Sequence, residues 1–185
     1  MPVVISLLRA VNVGGHAVIK MADLRALYES INLKDVQSYV QSGNVVFRTH
    51  EKDLAKLTKK IQSTIAKKFG VTPGVMLRTT AEMRDVVARN PFAKRKGIEP
   101  NKLHVSFLGA QLEPTVCELL RALPLVNDEL VPSGRELFLY FPHGAGKSKL
   151  PWAKVERICG TAGTARNWNS VTKLLEMAEA LESAK

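Results

Sequence analysis

The chain has 185 residues, with 27 Lys and Arg against 17 Asp and Glu, a formal charge of +10 and a 45% hydrophobic share, which is globular and excludes disorder. No apolar run reaches the ~18 residues of a membrane span, and the apolar start, Met1 to Leu8, lacks a preceding basic segment and is interrupted by Arg9, so no membrane partner and no signal peptide are expected. Two cysteines, Cys117 and Cys159, exclude a disulfide framework and an all-cysteine zinc site; four scattered histidines show no metal spacing, so no metal and no cofactor are expected in what reads as a cytoplasmic protein.

Val3–Leu8 is a short, β-branched apolar run and reads as a buried strand. Asn12-Val13-Gly14-Gly15 is a loop, and Met21, Leu24, Leu27, Tyr28 and Ile31 recur at helical spacing. Val36, Ser38 and Val40 alternate with polar neighbours as in a half-buried strand. Ser42-Gly43-Asn44 turns the chain, and Val45–Arg48 returns as the next strand. Asp53 opens a helix with Leu54, Leu57, Ile61 and Ile65 on one face, and Gly70 ends it. Val75–Arg78 is a fourth strand, and Thr79 with Glu82 has capping-box spacing for a helix to about Asn90.

Pro91–Pro100 reads as a linker, after which the order repeats. Leu103–Leu108 is a strand, and a helix runs from Glu113-Pro114 through Leu123. Asp128–Val131 and Glu136–Phe141 are strands joined at Ser133-Gly134. Ser148–Cys159 is a helix closed by Gly160, Thr164–Arg166 a short strand, and Asn169 the expected cap of the last helix. Ser42-Gly43 and Ser133-Gly134 differ by 91 positions, and Phe69-Gly70 and Cys159-Gly160 by 90, which marks a structural duplication. The expected fold is α+β: two ferredoxin-like (βαββαβ) halves, each an antiparallel sheet with helices on one face. Residues 1–90 form the first half, 91–101 the linker and 102–185 the second half.

The segments LLRAVNVGGHAVIKMADLRAL, YVQSGNVVF, NPF, GKSKL and ARNWNSVTKL occur in order along essentially the whole chain. In these the sequence resembles the bacterial domain-of-unknown-function family 1697. The resemblance implies a two-part α+β fold and no reaction.

Chain order places two sets of loop residues at sheet rims. The first βα loop and the first hairpin share an end of the first sheet, gathering Arg9, Asn12, Gly14, Gly15, Gln41, Ser42, Gly43 and Asn44. Planar donors, glycines and neutral amides there would suit a carboxylate, phosphate or nucleobase, or would serve turn geometry with Arg9 paired to a carboxylate. In the second half, Gly146, Lys147, Ser148 and Lys149 precede the expected helix start, and Arg166, Asn167 and Trp168 end the fourth strand at the same edge. Free amides, the helix dipole and three cations would favour an anion there, unless Ser148 caps the helix and Trp168 staples the next one to the core. A nucleotide-binding P-loop is excluded, because its first glycine would fall at Phe141.

The excess charge is local. Residues 1–51 net +1, residues 52–96 net +9 (twelve basic, three acidic), residues 97–146 net −3 and residues 147–185 net +3. Such a basic stretch attracts polyanions or forms a solvated lysine face. Phe138 and Tyr140 are expected on the open side of the second sheet, near His104 and Ser106, filling a contact between sheets or subunits; the RNP1 signature of an RNA-recognition sheet is absent. Cys159 at a helix C-terminus is a poor nucleophile, and no carboxylate pair suggests acid–base work. The leading reading is a non-catalytic binding protein for a phosphate-bearing ligand, either nucleic acid or a phosphorylated small molecule. An enzyme acting on a small anionic metabolite and a self-associating scaffold are the alternatives.

Overall fold

The computed structural model describes residues 1–12 and 18–184. The first sheet is built from β1 (Val3–Arg9), β2 (Lys34–Tyr39), β3 (Asn44–Arg48) and β4 (Gly74–Thr79), in the spatial order β2-β3-β1-β4 and antiparallel throughout. The connections are α1 (Met21–Ser30) and α2 (Leu54–Phe69). Strand periodicity puts Val4 and Leu8, Val45 and Phe47, and Val75 and Leu77 on one face. They form one core with Leu24, Leu27 and Tyr28 of α1 and Leu57, Ile61 and Ile65 of α2. Tyr28 meets the Phe47 ring edge-on at 5.4 Å, and its hydroxyl lies 2.9 Å from Ser6 Oγ, which satisfies both groups inside that core. Burial pushes the Tyr28 phenol well above its ordinary pKa, so it stays neutral.

The second sheet repeats this plan with β5 (Leu103–Leu108), β6 (Glu129–Ser133), β7 (Glu136–Tyr140) and β8 (Gly163–Asn167), ordered β6-β7-β5-β8. Its helices are α4 (Pro114–Arg121) and α5 (Trp152–Cys159). Leu108, Leu137 and Leu139 pack with Leu120 and Val155. Pro132 sits in β6, an edge strand, where its missing amide breaks no ladder bond. Two antiparallel sheets in βαββαβ order, with helices, are the expected α+β fold. The paired turn glycines agree in conformation as well as in spacing: Gly43 and Gly134 have φ of 69° and 64°, and Gly70 and Gly160 have 69° and 63°.

Helices α3 (Thr80–Ala88) and α6 (Trp168–Ser183) follow β4 and β8. The expected capping box at α3 is formed: the Thr79 amide donates to Glu82 Oε2 at 2.8 Å and the Glu82 amide to Thr79 Oγ1 at 3.1 Å. At α6 the cap is Asn167 rather than Asn169. Its Oδ1 accepts from the Ser170 amide at 2.9 Å, so the helix starts one residue after the strand ends.

The chain divides into two compact units, Met1–Asp85 with Lys173–Lys185, and Val86–Thr172. In the first unit, Arg84 bridges Glu179 (2.7 Å) and Glu182 (3.2 Å), and Arg48 donates to the carbonyls of Leu181 and Ala184 at the end of α6. In the second unit, residues 91–101 are fastened to the sheet. Phe92 packs 6.0 Å from the Tyr140 ring, and Arg95 forks onto Glu129 at 2.7 and 3.1 Å while covering both rings.

Candidate functional site

The loop between β7 and α5 carries the candidates Gly146, Lys147, Ser148 and Lys149. A helix was expected from Ser148. Instead, Ala145–Lys147 make one 3-10 turn, and α5 begins at Trp152 after Pro151, with no side-chain cap. Proline disfavours helical backbone in the residue before it, which delays the helix. Ser148 therefore caps no α-helix. Its Oγ donates to Asp128 Oδ2 at 2.7 Å and accepts from the Leu150 amide at 3.0 Å. The Lys149 amide donates to the same Asp128 oxygen at 3.2 Å. A carboxylate of the chain thus takes the amide on which an external anion was expected. Gly146 is exposed, with open space where a side chain would stand.

Lys147 and Lys149 line a surface notch of about 160 Å³ together with His143, Asp128, Leu125 and Leu150. Arg166, Asn167 and Trp168 do not line it. Arg166 pairs with Val105 across β5 and β8, so its side chain stands on the sheet face away from α4 and α5. There it is buried and donates to Thr164 Oγ1 at 2.7 Å and to the Ala165 carbonyl at 2.8 Å. Burial pushes its pKa down to about 10. Asn167 serves the helix cap, and Trp168 is half-buried in the first turn of α6. The expected grouping of Lys147, Lys149 and Arg166 around one anion does not form.

At the first rim, Asn12, Ser42 and Asn44 bind the backbone or each other. Asn12 Nδ2 donates to the carbonyls of Ile19 and Gln41, both at 2.9 Å, and its Oδ1 accepts from the Ile19 amide at 2.7 Å. Both donors and the acceptor of that amide are used, so Asn12 ties the β1–α1 loop to the hairpin. Asn44 is fully buried and donates to the Tyr39 carbonyl (3.2 Å) and Ser42 Oγ (2.8 Å). Gly43 accepts from the Leu8 amide at 2.9 Å; a Cβ there would lie 2.7 Å from Leu8 Cβ, so the turn admits no other residue. Gln41 is exposed and Arg9 half-buried. Gly14 and Gly15 lie outside the described residues.

The basic stretch 52–96 separates into two groups. Its arginines are engaged. Arg78 is buried and donates to the Leu77 carbonyl, Arg84 holds Glu179 and Glu182, Arg89 holds Glu136 and Ser133, and Arg95 holds Glu129. The lysines are exposed: Lys52, Lys56, Lys59, Lys60, Lys67 and Lys68 lie on or just before α2, and Lys94 and Lys96 lie after α3. Among the described residues their one ion pair is Lys56 with Glu51, at 3.2 Å. Lys60 reaches the Ile31 carbonyl, and Lys68 lies over the Phe69 ring. Lys56, Lys59, Lys60 and Lys67 recur at helical spacing opposite Leu57, Ile61 and Ile65. They form a stripe ~16 Å long at 1.5 Å per residue.

The sheet faces turned away from α1 and α2, and from α4 and α5, offer no stacking platform. Val3, Ile5, Leu7, Val46 and Met76 of the first, and Leu103, Val105, Phe107 and Phe138 of the second, are buried. Tyr140 is covered by Phe92 and Arg95. His104 and Ser106 are on the helix side instead, because His104 pairs with Leu139 and stacks edge-on against Phe141. Cys159 is a weak nucleophile: burial first, then Glu156 and Cys117, pushes its thiol pKa up. Among the described residues, no group of three metal-binding side chains is gathered and no helix is long and apolar enough to cross a membrane.

Duplicated ferredoxin-like order and a lysine-striped helix define an α+β protein. The chain belongs to the DUF1697 family, described as protein of unknown function, whose family model matches residues 1–138. A conserved bacterial protein from Streptococcus pneumoniae shares the fold: it superposes with a TM-score of 0.77 at 22% identity, over 97% of this chain and 99% of that one. No curated protein matches the sequence.

Proposed function

We propose that this chain is a non-catalytic, cytoplasmic binding protein for phosphate-bearing ligands, with nucleic acid as the first candidate partner. The observation that carries the reading is the α2 stripe: six exposed lysines with a single carboxylate partner. Folding does not need so many unneutralised charges on one helix, where Lys56 repels Lys59 and Lys60 at i+3 and i+4. Phosphates spaced along a strand would neutralise them and release counterions. Lysines act as point charges and carry no base code, so the binding is sequence-independent. Lys147 and Lys149 add charge on the second unit, whereas Arg166 is turned inward.

Binding of labelled RNA and DNA oligonucleotides across a salt series tests the proposal. About four phosphate contacts give a log–log slope near −3 to −4, at −0.7 to −0.9 for each contact. No binding at low salt, or binding that salt leaves unchanged, rejects it.

A further inference from the structure

Both halves carry a notch at the same place in the fold. In the first unit it lies where α1 ends, β3 exits and α2 starts, with a volume of about 150 Å³. Ile31, Leu33 and Leu57 give it an apolar floor; His50, Lys56 and Lys60 stand at its rim. In the second unit it lies where α4 ends, β7 exits and the chain approaches α5, with a volume of about 160 Å³. Leu125 and Leu150 line it, with His143, Lys147 and Lys149. The ladder bonds fix the equivalence. The Thr49 amide donates to the Pro2 carbonyl and the Phe141 amide to the Lys102 carbonyl, each one residue past the strand that leads to the notch.

The charges match as well. Each lining holds two lysines and one carboxylate, a net of one positive charge before histidine is counted. Both carboxylates are engaged: Glu51 with Lys56 at 3.2 Å, and Asp128 with Ser148 and the Lys149 amide. Arginine lines neither notch, so the cations there are lysines, which hold a phosphate as point charges without a fixed fork. A cavity near 150 Å³ holds about one six-membered ring. With the sheet faces buried, a base has no aromatic platform on which to lie.

We infer that each notch seats the ring of one nucleotide unit, with its lysines on the attached phosphate. This rests on the phosphate-ligand reading above and names the unit recognised. The nucleotide would come either from a strand or from a free mononucleotide.

The test is an amide-resolved NMR titration of the whole chain with uridine 5′-monophosphate, uridine, inorganic phosphate and a short oligouridylate. The expected result is saturable shifts at Leu33 and His50 and at Asn127, His143 and Leu150 with the monophosphate, and binding about fivefold weaker with uridine, the loss of one solvated charge pair. K147E/K149E removes the second set of shifts and leaves the first, which also shows that the variant is folded. Equal shifts with inorganic phosphate alone overturn the inference, because no ring is then seated. Oligouridylate binding that shifts only the exposed face of α2 overturns it too, while leaving the nucleic-acid reading standing. Notch shifts with the monophosphate but no binding of the strand uphold the inference, assign the notches to free mononucleotide and reject nucleic acid as the partner.

Discussion

Helices α2 and α5 hold the same place in their units and are built by different means. Helix α2 spans 16 residues, starts on an Asp53 side-chain cap (to the Lys56 amide, 3.0 Å) and ends at left-handed Gly70. It is complete without help from its lysines. Helix α5 has 8 residues and no side-chain cap, and the loop before it is held by Asp128, 20 positions upstream of Ser148. Polar groups at α5 are consumed in making the structure, whereas the charge on α2 is surplus to it. Surplus charge is what remains for a ligand, and the two loops that looked most like sites from their composition have their amides, hydroxyls and carboxylate engaged, which leaves only the Lys147 and Lys149 side chains over.

The largest expected effect sharpens the contrast at the hairpins. Asn44 and Glu136 both open the returning strand and both are buried, one neutral and one charged. Arg89 holds Glu136 at 2.8 Å and Ser133 Oγ at 2.6 Å. Glu136→Ala removes the buried carboxylate that Arg89 Nη2 holds and should cost about 3 kcal/mol in urea unfolding, against about 1–2 kcal/mol for Asn44→Ala. Equal losses would break the contrast.

Glycines give the next effect. Gly43→Ala meets both a positive φ and Leu8 Cβ at 2.7 Å, and should cost about 2–4 kcal/mol. Gly70→Ala has the same φ with nothing within 4 Å, and about 1 kcal/mol is expected. Below these come the loop anchors. Asp128→Ala should cost about 1.5–3 kcal/mol, because two donors lose a charged acceptor, and Asp53→Ala about 1 kcal/mol as a lost helix cap. A larger loss at Asp53 than at Asp128 would reverse the account of the two helices.

The smallest effect is acid sensitivity in the second unit. Burial against Phe141 pulls the His104 pKa below its ordinary value. The unfolded chain then binds this proton more readily than the folded one, so the contribution is full above the ordinary histidine pKa of about 6.5 and is lost as pH falls through the lower folded value. Unfolding of wild type should ease over that window more than unfolding of His104→Phe. Identical pH profiles would remove the group from the balance.

Much of this fold was legible because it is written locally. The Thr79–Glu82 box, the Asp53 cap, and the turns at Gly43, Gly70, Gly134 and Gly160 are formed as the spacing predicts. The misplaced starts of α5 and α6 are also local, arising where Pro151 delays one helix and Asn167 caps the other directly from its strand. What could not be read was long-range pairing. Arg89 finds Glu136 from 47 positions away and Ser148 finds Asp128 from 20, so neither the engaged arginines nor the occupied loop has a local signature. The face taken by Arg166 has no local signature either: Gly163–Asn167 alternates too weakly to tell one face from the other until its register with Val105 is known. The lysine periodicity of α2 could be read from sequence alone, and it is the feature that survives.

Charge reversal on α2 tests that feature most directly. Lys59 and Lys67 are exposed, lie outside both notches and have no carboxylate partner among the described residues. Oligonucleotide affinity should be measured against salt for wild type and for Lys59→Glu/Lys67→Glu, whose stability should change by no more than ~0.5 kcal/mol. The account predicts weaker binding by the folded variant at every salt concentration and a slope shallower by about two phosphate contacts. An unchanged affinity and slope would place the ligand elsewhere and contradict it.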